Sequence, residues 1–113
     1  MDSIISYQIL YTEAAVRDIE EKFDYIARQL RDPGLAQAWY LRLRSTIQDA
    51  LTTFPCKYAC YAAAPWKEKG IRLFLLRNDV VLYSVDEATK TVSIHIVCTR
   101  GRDLSAHLSD LIH

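Results

Sequence analysis

Three arginines stand at the ends of alternating apolar segments: Arg72 opens one, and Arg100 and Arg102 close another. A guanidinium is a planar fork of N–H donors that matches two phosphate oxygens at once, so Arg72 suits either a bound phosphate or an acid on the chain's own helices. Side by side, such segments bring the three arginines together into one anion site; solvated charges are the plain alternative for Arg100 and Arg102. His107 adds an imidazole with an ordinary pKa of about 6.5, able to exchange a proton at neutral pH, although a lone histidine on a terminal helix is more often simply a surface residue. Lys67 and Lys69 precede Arg72 and, with Lys57, interleave with Tyr58, Tyr61 and Trp66. That composition fits a stacking, cationic edge or a surface loop pinned to the core by its rings. His95 alternates onto the face opposite Ile94 and Ile96 and is read as structural.

The elements that must position these groups are legible from periodicity. Ile71, Leu73 and Leu75 alternate with Arg72, Phe74 and Leu76, which predicts a half-buried strand with one wholly apolar face. Arg77-Asn78-Asp79 breaks the run, Val80 to Val85 resumes it, and Asp86 to Lys90 makes a second polar connection. In the last strand Val92, Ile94, Ile96 and Cys98 share a face. Ile5, Tyr7, Ile9 and Tyr11 predict a first strand. Thr12 is placed to cap a helix whose stripe is Val16, Ile19, Phe23, Ile26 and Leu30. Asp32 and Pro33 suit the cap and first position of a second helix, apolar at Ala36, Trp39, Tyr40, Leu43, Ile47, Ala50, Leu51 and Phe54 and ended by Pro55. A connection so short predicts an antiparallel helical hairpin. Leu104, Leu108 and Leu111 or Ile112 recur at helical spacing in a short terminal helix or a tail.

The expected fold is α+β: β-α-α-β-β-β(-α), a helical hairpin packed on a mainly antiparallel four-stranded sheet. At 113 residues the chain makes one domain, 1–113. Lys+Arg and Asp+Glu both number 14, so any anion site must be a local cluster rather than a global field. No apolar run approaches a membrane span and no export signal is visible, which places the protein in the cytoplasm. Cys56, Cys60 and Cys98 are odd in number and lack C-x-x-C spacing; buried reduced thiols are expected, without disulfide or metal.

Gly70 and Arg72, Asn78, Tyr83-Ser84-Val85-Asp86, the V-x-I-x-x-V run from Val92 to Val97 and the terminal Arg100-Gly101-Arg102-Asp103 form an ordered set. With Tyr11-Thr12, Glu13-Ala14-Ala15 and Thr53-Phe54-Pro55 upstream, the pattern resembles the RelE/ParE superfamily of bacterial toxins from about Tyr7 to Leu108. The resemblance implies the toxin of a type II toxin–antitoxin module, neutralised by a cognate antitoxin protein and needing no cofactor. RelE-type members cut mRNA on the ribosome without a metal, and ParE-type members inhibit DNA gyrase by binding. For a nuclease it implies Arg72, Arg100, Arg102 and His107 as the catalytic set, with Lys67, Lys69, Arg77 and Tyr83 contacting substrate. One departure tilts the expectation. RelE-type nucleases carry an arginine three residues before the tyrosine that is Tyr83 here, and this chain has Val80. An aliphatic side chain cannot offset charge on a phosphorane, and no glutamate supplies an obvious base. A ParE-like binder is therefore favoured over a nuclease, with a degenerate, non-toxic binding module as the third reading; a homodimer is left open.

Overall fold

A computed structural model describes residues 6–61 and 68–101. The described elements are β1 (Gln8–Tyr11), α1 (Glu13–Asp24) continued by a π turn (Tyr25–Gln29), α2 (Pro33–Leu51), a 3-10 turn (Pro55–Lys57), β2 (Arg72–Leu75), β3 (Asp79–Asp86) and β4 (Thr91–Thr99). They make the expected α+β architecture: a four-stranded sheet in the order β1-β4-β3-β2, with β1 parallel to β4 and the other pairs antiparallel.

Local chemistry sets the hairpin. The Thr12 hydroxyl accepts from the Ala15 amide at 3.2 Å, and the Asp32 carboxylate from the Leu35 amide at 2.9 Å. Each satisfies a donor that the first helical turn leaves orphaned. Ala15, Ile19, Ile26, Ala36, Trp39, Leu43, Ile47 and Leu51 then bury against Phe74, Val81, Tyr83, Val92, Ile94 and Val97 on one sheet face.

Four expectations are corrected. The α1 stripe does not run through to Leu30, because the π turn widens the last turn and rotates Leu30 outward, 51% exposed. Phe54 lies beyond the end of α2 and is 67% exposed. On β4 the alternation changes phase at a bulge: Leu82 pairs with Ile96 but Tyr83 with Ile94, leaving His95 as the extra residue. Val92, Ile94 and Val97 thus face the helices, while Ile96 and Cys98 join Ile71, Val80 and Leu82 in a second cluster on the opposite face. All three cysteines are free, but only Cys98 is buried; Cys56 is exposed. No helix among the described residues is long and apolar enough to cross a membrane. The terminal segment 104–112, expected as a short helix or a tail, lies outside the described residues.

Candidate functional site

Arg72 opens β2 opposite Tyr83. Its Nη1 donates to the carbonyls of Cys56 at 3.1 Å and Tyr58 at 2.6 Å, so the guanidinium ties the 3-10 turn to the sheet. Arg100 follows β4 at the opposite end. Its amide donates to the Asn78 carbonyl at 3.0 Å, and its Nη1 to the carbonyls of Leu76 at 3.2 Å and Arg77 at 3.4 Å, closing the β2–β3 turn. By strand register the two sit about 15 Å apart along the strands and two strand spacings, about 10 Å, across them. They do not converge, because β2 and β4 run the same way and one arginine starts its strand while the other ends its own. Arg77 is exposed beside Arg100, and Lys69 is exposed in the turn ending at Gly70. Lys67, Arg102 and His107 lie outside the described residues.

Tyr83, expected to contact substrate, is fully buried, and its hydroxyl donates to the Pro55 carbonyl. Burial pushes that phenol far above its ordinary range, with the nearby Arg72 charge pulling the other way. Val80 is 6% exposed and packs with Ile71, Leu82, Ile96, Cys98 and the half-buried Leu73. At Val80 the helix-free face is apolar.

The most developed polar constellation is one that the sequence reading missed. Asp79, 4% exposed, opens β3 and accepts from the Trp39 indole N–H at 2.9 Å and from the Lys22 ammonium. Lys22 Nζ also donates to Thr99 Oγ1 at 3.0 Å and lies 5.3 Å from the centre of the Trp39 ring. Paired and hydrogen-bonded, the buried carboxylate is compensated. The network joins α1, α2, β3 and β4 at the floor of a 670 Å³ cleft between the hairpin and the sheet end, whose rim includes Tyr25, Leu30, Leu35, Arg42 and Asn78. In the sequence Asp79 stands in the polar break before Val80, and Lys22 lies off the apolar stripe of α1. The one signal was an acid directly against the Val80 to Val85 run.

At the far end of the sheet, Glu87 accepts from the Tyr7 hydroxyl at 2.9 Å, from Cys56 Sγ at 3.4 Å and from Lys90 at 3.4 Å. The Tyr7 bond, then that of Cys56, holds the Glu87 carboxyl below its usual range, and burial pushes the Cys56 thiol up. On the helix-free face Ser84 Oγ lies 2.8 Å from His95 Nε2, and burial lowers the His95 pKa. No group of three or more His, Cys, Asp or Glu among the described residues could hold a metal ion.

No family model matches the chain, and no curated protein matches it either. Solved structures do. A chain of the RelBE2 toxin–antitoxin complex of Mycobacterium tuberculosis aligns with a TM-score of 0.63 at 19% identity, over 90% of this chain and 100% of that one. A chain of the chromosomal ParDE toxin–antitoxin system of P. aeruginosa aligns at 0.68 and 15% identity, over 86% and 98%. The fold is RelE/ParE-like.

Proposed function

We propose that this chain is the toxin of a two-protein toxin–antitoxin module in the cytoplasm, neutralised by a cognate antitoxin, and that it arrests growth by binding a protein target such as DNA gyrase. The similar solved structures come from toxin–antitoxin complexes of both the RelBE and the ParDE kind, which supports a toxin with an antitoxin partner. The observation that carries the binding mode is the helix-free face around Val80. Offsetting the charge of a phosphorane requires cations aimed at one point. Here Val80 packs with Ile71, Leu73, Leu82, Ile96 and Cys98, and among the described residues Arg72 and Arg100 serve backbone carbonyls at opposite ends of the sheet. The lack of converging cations at Val80 among the described residues supports a toxin that works by binding.

Induced expression in a bacterial host, followed by electrophoresis of plasmid topoisomers, tests this. Growth arrest with relaxed plasmid, reproduced by inhibition of purified gyrase, is the expected result. Unimpeded growth contradicts the toxin assignment and leaves a binding module without toxicity; arrest with normally supercoiled plasmid contradicts gyrase as the target.

A further inference from the structure

One edge of the sheet is closed and the other is open. At β2 the segment ahead of the strand supplies a partner: the Tyr61 amide donates to the Ile71 carbonyl at 2.7 Å and the Leu73 amide to the Ala59 carbonyl at 3.0 Å. β1 forms the other edge and pairs on one side only. Its register decides which groups that pairing uses. The Gln8 amide donates to the Lys90 carbonyl and the Thr12 amide to the Ile94 carbonyl, and in a parallel ladder every second residue turns both N–H and C=O to the same neighbour. Gln8, Leu10 and Thr12 therefore face β4, while Tyr7, Ile9 and Tyr11 face away. The Thr52 carbonyl takes the Tyr7 amide at 2.8 Å. The N–H and C=O groups of Ile9 and Tyr11 have no backbone partner among the described residues.

Nothing in the strand blunts this row. Exposed edges are ordinarily protected by proline, charge or a bulge, and Gln8–Tyr11 carries none of these. Ile9 and Tyr11 pack toward the helices, so Leu10 points to the helix-free face, where it is 46% exposed. Val16, expected within the interior stripe of α1, is 43% exposed in a groove that Tyr11 also lines. The open row is short as well, because Thr52 closes it at Tyr7 and α1 begins after Thr12. A strand that fits must leave the sheet after three or four residues, as β1 itself does.

We propose that β1 pairs with β1 of a second copy of this chain, antiparallel about a two-fold axis through Leu10, so that the two sheets join edge to edge. Ile9 then lies opposite the partner's Tyr11, and Tyr11 opposite the partner's Ile9, each pair exchanging two N–H···O bonds and using every free group of the row. Leu10 meets the partner's Leu10 in the closer, non-hydrogen-bonded spacing, Cα atoms about 4.5 Å apart. A residue on the axis faces its own copy, where a charge would be repelled; the leucine buries apolar surface instead. Other registers use less of the row. An axis at Ile9 sets Tyr11 against the partner's Tyr7, whose amide is bonded to Thr52, and an axis at Tyr11 sets Ile9 against the partner's Glu13, which is already helical. The contact does not depend on toxicity, so it and the reading above fail separately.

Sedimentation velocity on the full chain from about 10 μM to about 1 mM is expected to show monomer giving way to dimer. Amide hydrogen exchange locates the contact: Ile9 and Tyr11 should exchange about tenfold more slowly at the upper concentration, with Leu10, bonded to β4 in both states, unchanged. Leu10→Lys should keep the chain monomeric with an unchanged circular dichroism spectrum. In a Cys56→Ser, Cys60→Ser background, Leu10→Cys should cross-link two chains in glutathione disulfide, since about 4.5 Å lies within disulfide reach. Gln8→Cys should not, because the two-fold holds the paired positions about 13 Å apart. A monomer at about 1 mM, a dimer whose Ile9 and Tyr11 amides exchange as in the monomer, or equal cross-linking from the two cysteine positions each overturns the proposal. Slow exchange of those amides at every concentration overturns it too, since another segment of the same chain then fills the edge.

Discussion

Asp79 and Lys22 illustrate how unequal the two halves of one ion pair can be. The lysine side chain keeps 21% of its exposure and the aspartate side chain 6%. Asp79→Asn leaves an acceptor for the Trp39 indole, and the freed lysine can swing toward water along the cleft, so the loss should be about 1 kcal/mol. Lys22→Met strands a carboxylate that cannot reach solvent and should cost about 3 kcal/mol. Urea denaturation of the two variants checks the order; equal losses would mean that the pair is not buried as described. His95 makes a second residue-scale prediction. Burial lowers its pKa in the folded protein, whereas the unfolded chain titrates near the ordinary value of 6.5. Above that value neither state binds the proton. As pH falls below it, the unfolded state takes the proton first and stability declines until the folded pKa is passed. His95→Gln cannot titrate, so denaturation midpoints between about pH 7.5 and 5.5 should fall less for it than for the parent. At this scale legibility was poor. Arg72, Arg100 and Tyr83 were singled out by type and position, yet their partners are main-chain carbonyls, which a side-chain pattern does not display. Lys22 and Asp79 lie 57 residues apart, and neither neighbourhood betrays the other.

Elements were read far better where their determinants are local. The Thr12 cap and the Asp32-Pro33 start of α2 are contacts within three residues, so the chain displays them directly. The β4 bulge could not be seen, because Ile96, Val97 and Cys98 are all apolar and fit either phase of an alternating pattern. The π turn was hidden similarly, since Ile26 and Leu30 keep helical spacing although the backbone between them does not. Just past that turn Arg31 has φ 53°, a left-handed conformation that costs a side chain with a β-carbon about 1 kcal/mol. Glycine is the usual residue at such helix ends. Arg31→Gly is therefore expected to raise stability by up to about 1 kcal/mol in thermal or urea melts, without altering the helical circular dichroism. A loss of stability would indicate that the guanidinium holds the hairpin tip.

For the whole molecule, architecture followed from periodicity and short connections, since two helices with one apolar stripe each need a sheet to cover. Placement of the charges did not, because it depends on which strand ends lie together, and the order β1-β4-β3-β2 puts Arg72 and Arg100 at opposite ends. A double Arg72→Ala, Arg100→Ala variant should lose stability, by about 1 kcal/mol for each released set of carbonyl bonds. Per folded molecule, it should inhibit gyrase as the parent does. The central claim is that this surface binds and does not cut. Purified chain added to a translating bacterial extract, with primer extension along the message, tests it most directly. Intact message at concentrations that block gyrase supercoiling is the predicted result; discrete ribosome-dependent breaks that vanish in the double variant would contradict it.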